Sequence, residues 1–209
     1  SHYTAAKSLS QWLKEEGKPA IFGVDTRQLT KKLREKGVML GKIAIGDNDV
    51  EFEDPNLRNL AADVSISQKT TYNSSVTFLE KRSIKKKILL IDCGVKLNII
   101  RSLISRGCSV IRVPWNYDFL ADNELDFDGI VISNGPGDPK MCTATIRNVA
   151  TAMKEERPIF GICLGNQLLA LAAGGDTYKL KYGHRSQNQP CINAVTKRCY
   201  ITTQNHGFA

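Results

Sequence analysis

Cys163 lies between two glycines in Gly161-Ile162-Cys163-Leu164-Gly165-Asn166-Gln167. That pattern can do nucleophilic chemistry if it forms a sharp strand-to-helix turn. The preceding Pro158-Ile159-Phe160-Gly161-Ile162 is a short apolar run of the kind that makes a buried strand. The following Leu164–Ala173 is rich in Leu and Ala and stops at Gly174-Gly175, as a helix with a glycine stop does. Cys163 at such a junction has the arrangement of a nucleophile elbow with Cys in place of Ser. The helix start beside it offers unpaired N–H groups and a positive dipole end, which favour thiolate and can hold an oxyanion. The competing reading is a small core residue at a tight turn.

Two further groups could join this chemistry. Asn134-Gly135-Pro136-Gly137-Asp138-Pro139 is a rigid turn whose backbone can approach a ligand closely and present an N–H to the same oxyanion. A cysteine nucleophile also needs a base within hydrogen-bond reach. His184 and His206 are the candidates, with His2 lying outside the domain.

The elements that must position these groups follow from the apolar pattern. Lys87–Asp92, Ser109–Val113, Gly129–Ser133 and Pro158–Ile162 read as strands, with helices predicted over Lys96–Arg106 and Ala144–Glu156. Apolar strands alternating with helices give an α/β fold: an open, mostly parallel sheet flanked by helices, with its site outside the carboxyl ends of the strands. Alternating stretches from Thr177 to Ala209 predict antiparallel strands added to that sheet. Upstream, Ala5–Glu16 and a segment opening at Asp25-Thr26-Arg27 and stopping at Gly37 read as amphipathic helices, Leu40–Ile45 as a short strand, and 47–64 as polar and turn-rich. This part is expected to be a piece of a smaller α+β domain over residues 1–67. Residues 68–86, with their Ser, Thr, Asn and Lys, read as a linker, and 87–209 as the second domain.

Composition removes several function classes. The chain has 209 residues and 42% hydrophobic content, enough for a sizeable core, and no apolar run approaches a membrane span. Its six cysteines show neither a C-x-x-C pair nor regular spacing, which argues against a zinc site or a disulfide framework, so no metal site is expected. The net charge of +8 is spread, and its one dense cluster, Lys81-Arg82 with Lys85-Lys86-Lys87, has only Phe78 nearby for stacking. A solvated linker accounts for it better than a nucleic-acid site does. The chain starts at Ser1 rather than Met, which is expected for an excised piece.

Ser133–Pro139, Gly161–Gln167, Gly183–Pro190 and Gln204–Ala209 together resemble the class I glutamine amidotransferases, specifically the glutaminase region of carbamoyl phosphate synthetases of the eukaryotic fused type. Gly23-Val24-Asp25-Thr26-Arg27 with Leu40-Gly41-Lys42 looks like the end of that family's amino-terminal domain. Asp92-Cys93-Gly94-Val95-Lys96 with Asn98 looks like the first strand-to-helix turn of its glutaminase domain. The resemblance implies that Cys163 attacks the glutamine carboxamide, that the N–H groups of Leu164 and Gly135 hold the oxyanion, and that Gly137, Gln167, Asn205, Gly207 and Phe208 hold substrate. His206 matches a pocket histidine rather than the base. The family's base is a histidine followed two residues later by glutamate, and position 208 is Phe, so that pair is expected in a later segment. Asn166 replaces a histidine common before the glutamine of this motif.

The implied partners are glutamine and a large synthetase subunit or fused synthetase domains. Those would use ATP, Mg and bicarbonate, with no cofactor in this domain and neither nucleic acid nor membrane as a partner. A degenerate module kept for an interface or allosteric role is the alternative. Val113-Pro114-Trp115-Asn116 leans to the urea and arginine branch, whereas Gly161–Leu171 and Gln189-Pro190-Cys191 lean to the pyrimidine branch. The location is accordingly mitochondrial or cytoplasmic.

Overall fold

Ser8 and Asp25 start the first two helices of the computed structural model, which describes residues 3, 5–73 and 86–209. The Ser8 hydroxyl accepts from the Gln11 N–H to open α1 (Leu9–Glu15), and the Asp25 carboxylate accepts from the Gln28 N–H to open α2 (Thr26–Lys36). Gly37, at φ 92°, ends α2 and donates its N–H to the Leu33 carbonyl. These helices belong to a unit spanning residues 1–54, separate from the unit of residues 55–209. The described part of the first unit buries no large apolar side chain: Trp12 and Leu29 both lie exposed on their helices.

The second unit opens with a short helix, α3 (Leu60–Val64), and a three-residue strand, β1 (Thr70–Tyr72). There follow β2 (Lys87–Asp92), α4 (Leu97–Ile104), β3 (Ser109–Pro114), β4 (Gly129–Ile132), α5 (Thr143–Lys154), β5 (Ile159–Gly161) and α6 (Leu164–Ala172). A hairpin of β6 (Lys179–Ile192) and β7 (Cys199–Phe208) completes the described chain. The five-stranded sheet has the order β1-β3-β2-β4-β5, parallel except for the antiparallel edge strand β1.

Period-two alternation in the strands builds two cores. Leu89 and Ile91 of β2 join Val113, Ile130 and Ile132 on one face, where Val149 and Ala152 of α5 and Leu164 and Leu168 of α6 cover them. Leu90, Val110 and Val131 point the other way and pack with Ile100 of α4. Both faces are covered, as a parallel sheet requires. The strand ends at Asp92, Ile132 and Gly161 thereby meet at one edge, and the loops that follow them carry the chemistry.

The α/β architecture and its four parallel strands stand as the sequence predicts, and several local expectations change. Leu40–Ile45 forms no strand; its only pairing is a single bridge from Ile45 to Asn48 around Gly46, because no neighbouring strand of the unit lies beside it. The residues from Thr177 onward do form antiparallel strands, yet β6 and β7 pair with each other as a separate two-stranded sheet rather than extending the parallel one. The compact unit begins at residue 55 and not at 87, and residues 68–73 of the expected linker include β1, which pairs with β3 through Thr70, Thr71 and Tyr72. The rest of that linker and its basic cluster lie outside the described residues, except Lys86 and Lys87, whose ammonium groups pair with Asp128 and Asp126. The polar 47–64 stretch ends in α3, capped by the Asn59 side chain on the Ala62 N–H.

Leu90 is wholly enclosed between the sheet and α4. Leu90→Ala is expected to lower the unfolding free energy by about 2–5 kcal/mol, read from the urea midpoint at unchanged slope.

Candidate active site

Backbone crowding shapes the turn at Cys163. A Cβ on Gly161 would lie 2.5 Å from the Gly165 carbonyl group and 2.6 Å from the Asn166 nitrogen, and a Cβ on Gly165 would lie 2.2 Å from the Ile132 carbonyl oxygen. Only glycine lets α6 start so close to β4 and β5. The residue between them is forced to φ 54°, ψ −108°, a conformation that costs a non-glycine residue about 1–3 kcal/mol. Leu164 and Leu168 are buried and anchor the helix, while Cys163 is exposed at its tip. The Cys163 carbonyl accepts from the Asn166 and Gln167 N–H groups, and the Ile162 carbonyl accepts from the Gly165 N–H. The Leu164 N–H and the Cys163 thiol have no hydrogen-bond partner among the described residues.

The loop after β4 is fastened to the loop after β2. Buried Ser133 accepts the Cys93 N–H at 2.9 Å and donates to the Asn134 carbonyl at 2.8 Å. The Asn134 side chain accepts from the Lys96 N–H and donates to the Gly94 carbonyl, each at 3.2 Å. A Cβ on Gly135 would lie 2.0 Å from the Cys93 carbonyl oxygen and 2.7 Å from Leu164 Cδ2. Gly135 is therefore wedged between that carbonyl and the first residue of α6, and its N–H is also unpaired among the described residues. Gly137, at φ 90°, turns the loop past Leu60 of α3.

The hairpin reaches the site through one carbonyl. Phe208 O accepts from Gln167 Nε2 at 2.5 Å and lies 2.6 Å from His206 Nδ1. A carbonyl only accepts, so Nδ1 carries the proton and Nε2 of the neutral ring offers a lone pair. His184 Nδ1 lies 3.2 Å from that lone pair and 2.9 Å from Gln204 Oε1, so one proton on His184 serves both acceptors. Gln204 keeps its oxygen toward the histidines because its amide nitrogen donates to Thr202 Oγ1 and Cys191 Sγ.

The structure thus brings Cys163, Leu164 and Gly135 together, and links Gln167, His206 and Phe208 through hydrogen bonds. Neither His184 nor His206 bonds the Cys163 thiol. Asn205 stands exposed on β7 opposite Arg185, Gly207 is half-buried beside the Arg185 guanidinium, and Gly137 faces α3. Among the described residues no cluster of three or more His, Cys, Asp or Glu could hold a metal ion. Cys93 and Cys142 are buried against each other behind Gly135; the hydrogen bond from Cys142 and burial push the Cys93 thiol well above the ordinary range, and the same bond lowers that of Cys142. One supporting residue escaped the sequence reading. Arg112 pairs with wholly buried Asp92, and its signal was a lone cation inside the apolar strand Ser109–Val113.

Residues 89–209 match the glutamine amidotransferase class-I family. The chain belongs to that family. Residues 1–43 match the carbamoyl-phosphate synthase small chain, CPSase domain, so both matches stand in the order of the glutaminase region of a eukaryotic fused synthetase. Over its whole length this amidotransferase is 51% identical to multifunctional protein CAD of Squalus acanthias, covering 9% of that protein. It is 50% identical to multifunctional protein pyr1-3 of Dictyostelium discoideum (10% covered) and 46% identical to the mitochondrial carbamoyl-phosphate synthase [ammonia] of Homo sapiens (13% covered). The chain spans about a tenth of the length of these relatives.

Two measurements check the elbow. Under limiting iodoacetamide, peptide mapping is expected to find Cys163 alkylated before exposed Cys191 and Cys199, with Cys93 and Cys142 protected until the protein unfolds. Cys163→Gly relieves the positive-φ strain and is expected to raise the unfolding free energy by about 1 kcal/mol in urea denaturation, after allowing for the added freedom of the unfolded chain.

Proposed function

We propose that this chain hydrolyses glutamine through a Cys163 thioester and delivers the ammonia to a carbamoyl phosphate synthetase partner. The single observation that carries the reading is the exposed thiol held at φ 54° on the first turn of α6, beside two unpaired N–H groups. In this reading Sγ attacks the carboxamide carbon, and the N–H groups of Leu164 and Gly135 receive the charge that develops on its oxygen. The C–N bond then breaks, ammonia leaves with a proton from the base, and water hydrolyses the γ-glutamyl thioester to glutamate. Gln167, His206 and Phe208 form one wall of the substrate pocket, the Phe208 carbonyl holding both neighbouring side chains; Gly137, Asn205 and Gly207 supply further contacts to the amino acid.

The base is a histidine other than the three in this sequence, since none of them has glutamate two residues on and none bonds the thiol. ATP, Mg and bicarbonate belong to the synthetase partner, which consumes the ammonia. A mitochondrial setting, named for the human relative, and a cytoplasmic one both accord with this role. No helix among the described residues is long and apolar enough to cross a membrane.

The test is ammonia release from glutamine by the protein at its full natural length. Cys163→Ala is expected to abolish it, while carbamoyl phosphate synthesis from added ammonia continues. The 209-residue chain alone, without the histidine base, is expected to turn over more slowly by a factor on the order of 10³ or more. Equal rates with and without the thiol would overturn the reading in favour of a degenerate module with an interface role.

A further inference from the structure

The strongest unexplained feature outside the reacting groups is the Asp92 carboxylate. It is fully buried at the end of β2, and it accepts five hydrogen bonds. Oδ1 takes the N–H groups of Gly94 at 2.9 Å and Val95 at 2.8 Å. Oδ2 takes Arg112 Nε at 3.1 Å, Arg112 Nη2 at 2.7 Å and the Ile66 N–H at 2.8 Å. Arg112 is itself mostly enclosed and reaches the Tyr72 hydroxyl at 3.3 Å. An isolated carboxylate in such a place is costly, so a buried charge that is this completely partnered fixes its neighbours rigidly.

What it fixes is the backing of the oxyanion loop. The Gly94 and Val95 amides belong to the turn whose Cys93 carbonyl presses on the Cα of Gly135. A Cβ on Gly94 would lie 3.0 Å from Pro136 Cδ and 3.4 Å from Gly135 Cα. Ser133 and Asn134 tie the same turn to the same loop from the other side. The direction of the Gly135 N–H is therefore set by a turn that Asp92 holds by two amides.

We propose that Asp92, clamped by Arg112, is a positioning residue for the Gly135 half of the oxyanion hole. This rests on the glutaminase reading above. The pair touches neither substrate nor thiol; it acts through the 93–95 turn. Asp92→Asn keeps the shape and removes the charge, so Arg112 loses its counter-ion and one acceptor on the carboxylate becomes a donor that faces N–H groups. The turn must relax, and the Gly135 N–H with it.

The experiment uses the full-length protein and separates steps that need the oxyanion hole from a step that does not. The aldehyde analogue of glutamine adds the Cys163 thiol across its C=O, forming a C–S bond and placing charge on the oxygen that the two N–H groups must hold. Chloroacetamide loses chloride to the same sulfur and needs no such hole. In Asp92→Asn, kcat for ammonia release is expected to fall about 10- to 100-fold and affinity for the aldehyde to fall by a similar factor. The KM for glutamine and the chloroacetamide rate are expected to stay within about twofold of the parent. Arg112→Lys, which keeps the charge and loses the two-pronged contact, is expected to shift kcat and aldehyde affinity the same way by less; if Asp92→Asn gives no cooperative melt, this variant carries the test by the same readouts. Unchanged kcat, or alkylation slowed as much as aldehyde binding, would overturn the positioning role. A wild-type protein that releases no ammonia from glutamine would instead bring down the glutaminase reading, and this inference with it.

Discussion

The contact on which the site depends is one of backbone against backbone. Gly161, Gly165 and the Ile132 carbonyl approach so closely that no side chain fits among them. That exclusion brings the start of α6 down onto the strand ends and forces Cys163 into a left-handed conformation. Helix dipole, unpaired amide and exposed sulfur then coincide at one point. The strain at Cys163 is held by the anchorage of Leu164 and Leu168 in the core, which lies on the same side of the sheet as Ile132. A looser core there would let the turn relax to an ordinary helix start.

The parallel sheet does the rest of the assembly. β4 lies between β2 and β5, so the loops leaving these three strands emerge side by side. Gly135 comes from the middle loop, Cys163 from one neighbour, and the supporting turn at Cys93–Val95 from the other. Polar ties between neighbouring loops, from Ser133 and Asn134 to residues 93–96, replace the ladder hydrogen bonds that end with the strands. Side chains thus continue the pairing of the sheet for one more turn, where backbone alone would splay apart.

The parts of this arrangement that were readable in the sequence are those written in local chemistry. The apolar runs from Lys87 to Ile162 and the glycines around Cys163 are short-range signals, and they predict the four parallel strands and the elbow. What was not readable depends on partners distant in sequence. β1 is three ordinary residues, Thr70–Tyr72, whose identity as a strand comes entirely from the edge of β3. Leu40–Ile45 has strand composition and no neighbour to pair with. The hairpin β6–β7 alternates as an added strand would, yet its hydrogen bonds close on themselves. Asp92 and Arg112 are both visible as charges beside apolar runs, but their pairing exists only because β2 and β3 set residue 92 against residue 114, two residues beyond Arg112.

One edge of the sheet behaves differently from the other. β1 runs antiparallel along β3 and covers it, whereas β5 has no strand on its outer side among the described residues, and Phe160 there is 64% exposed. Unpaired N–H and C=O groups along a strand are a template for another strand. The sheet can therefore grow in one direction only, and that direction is the side of the nucleophile. Any polypeptide that pairs with β5 would place its own strand end within the ring of loops around Cys163. The open edge makes the site extensible by backbone pairing, so that groups from elsewhere in sequence can be delivered to the thiol by the same ladder geometry that already aligns the other loops.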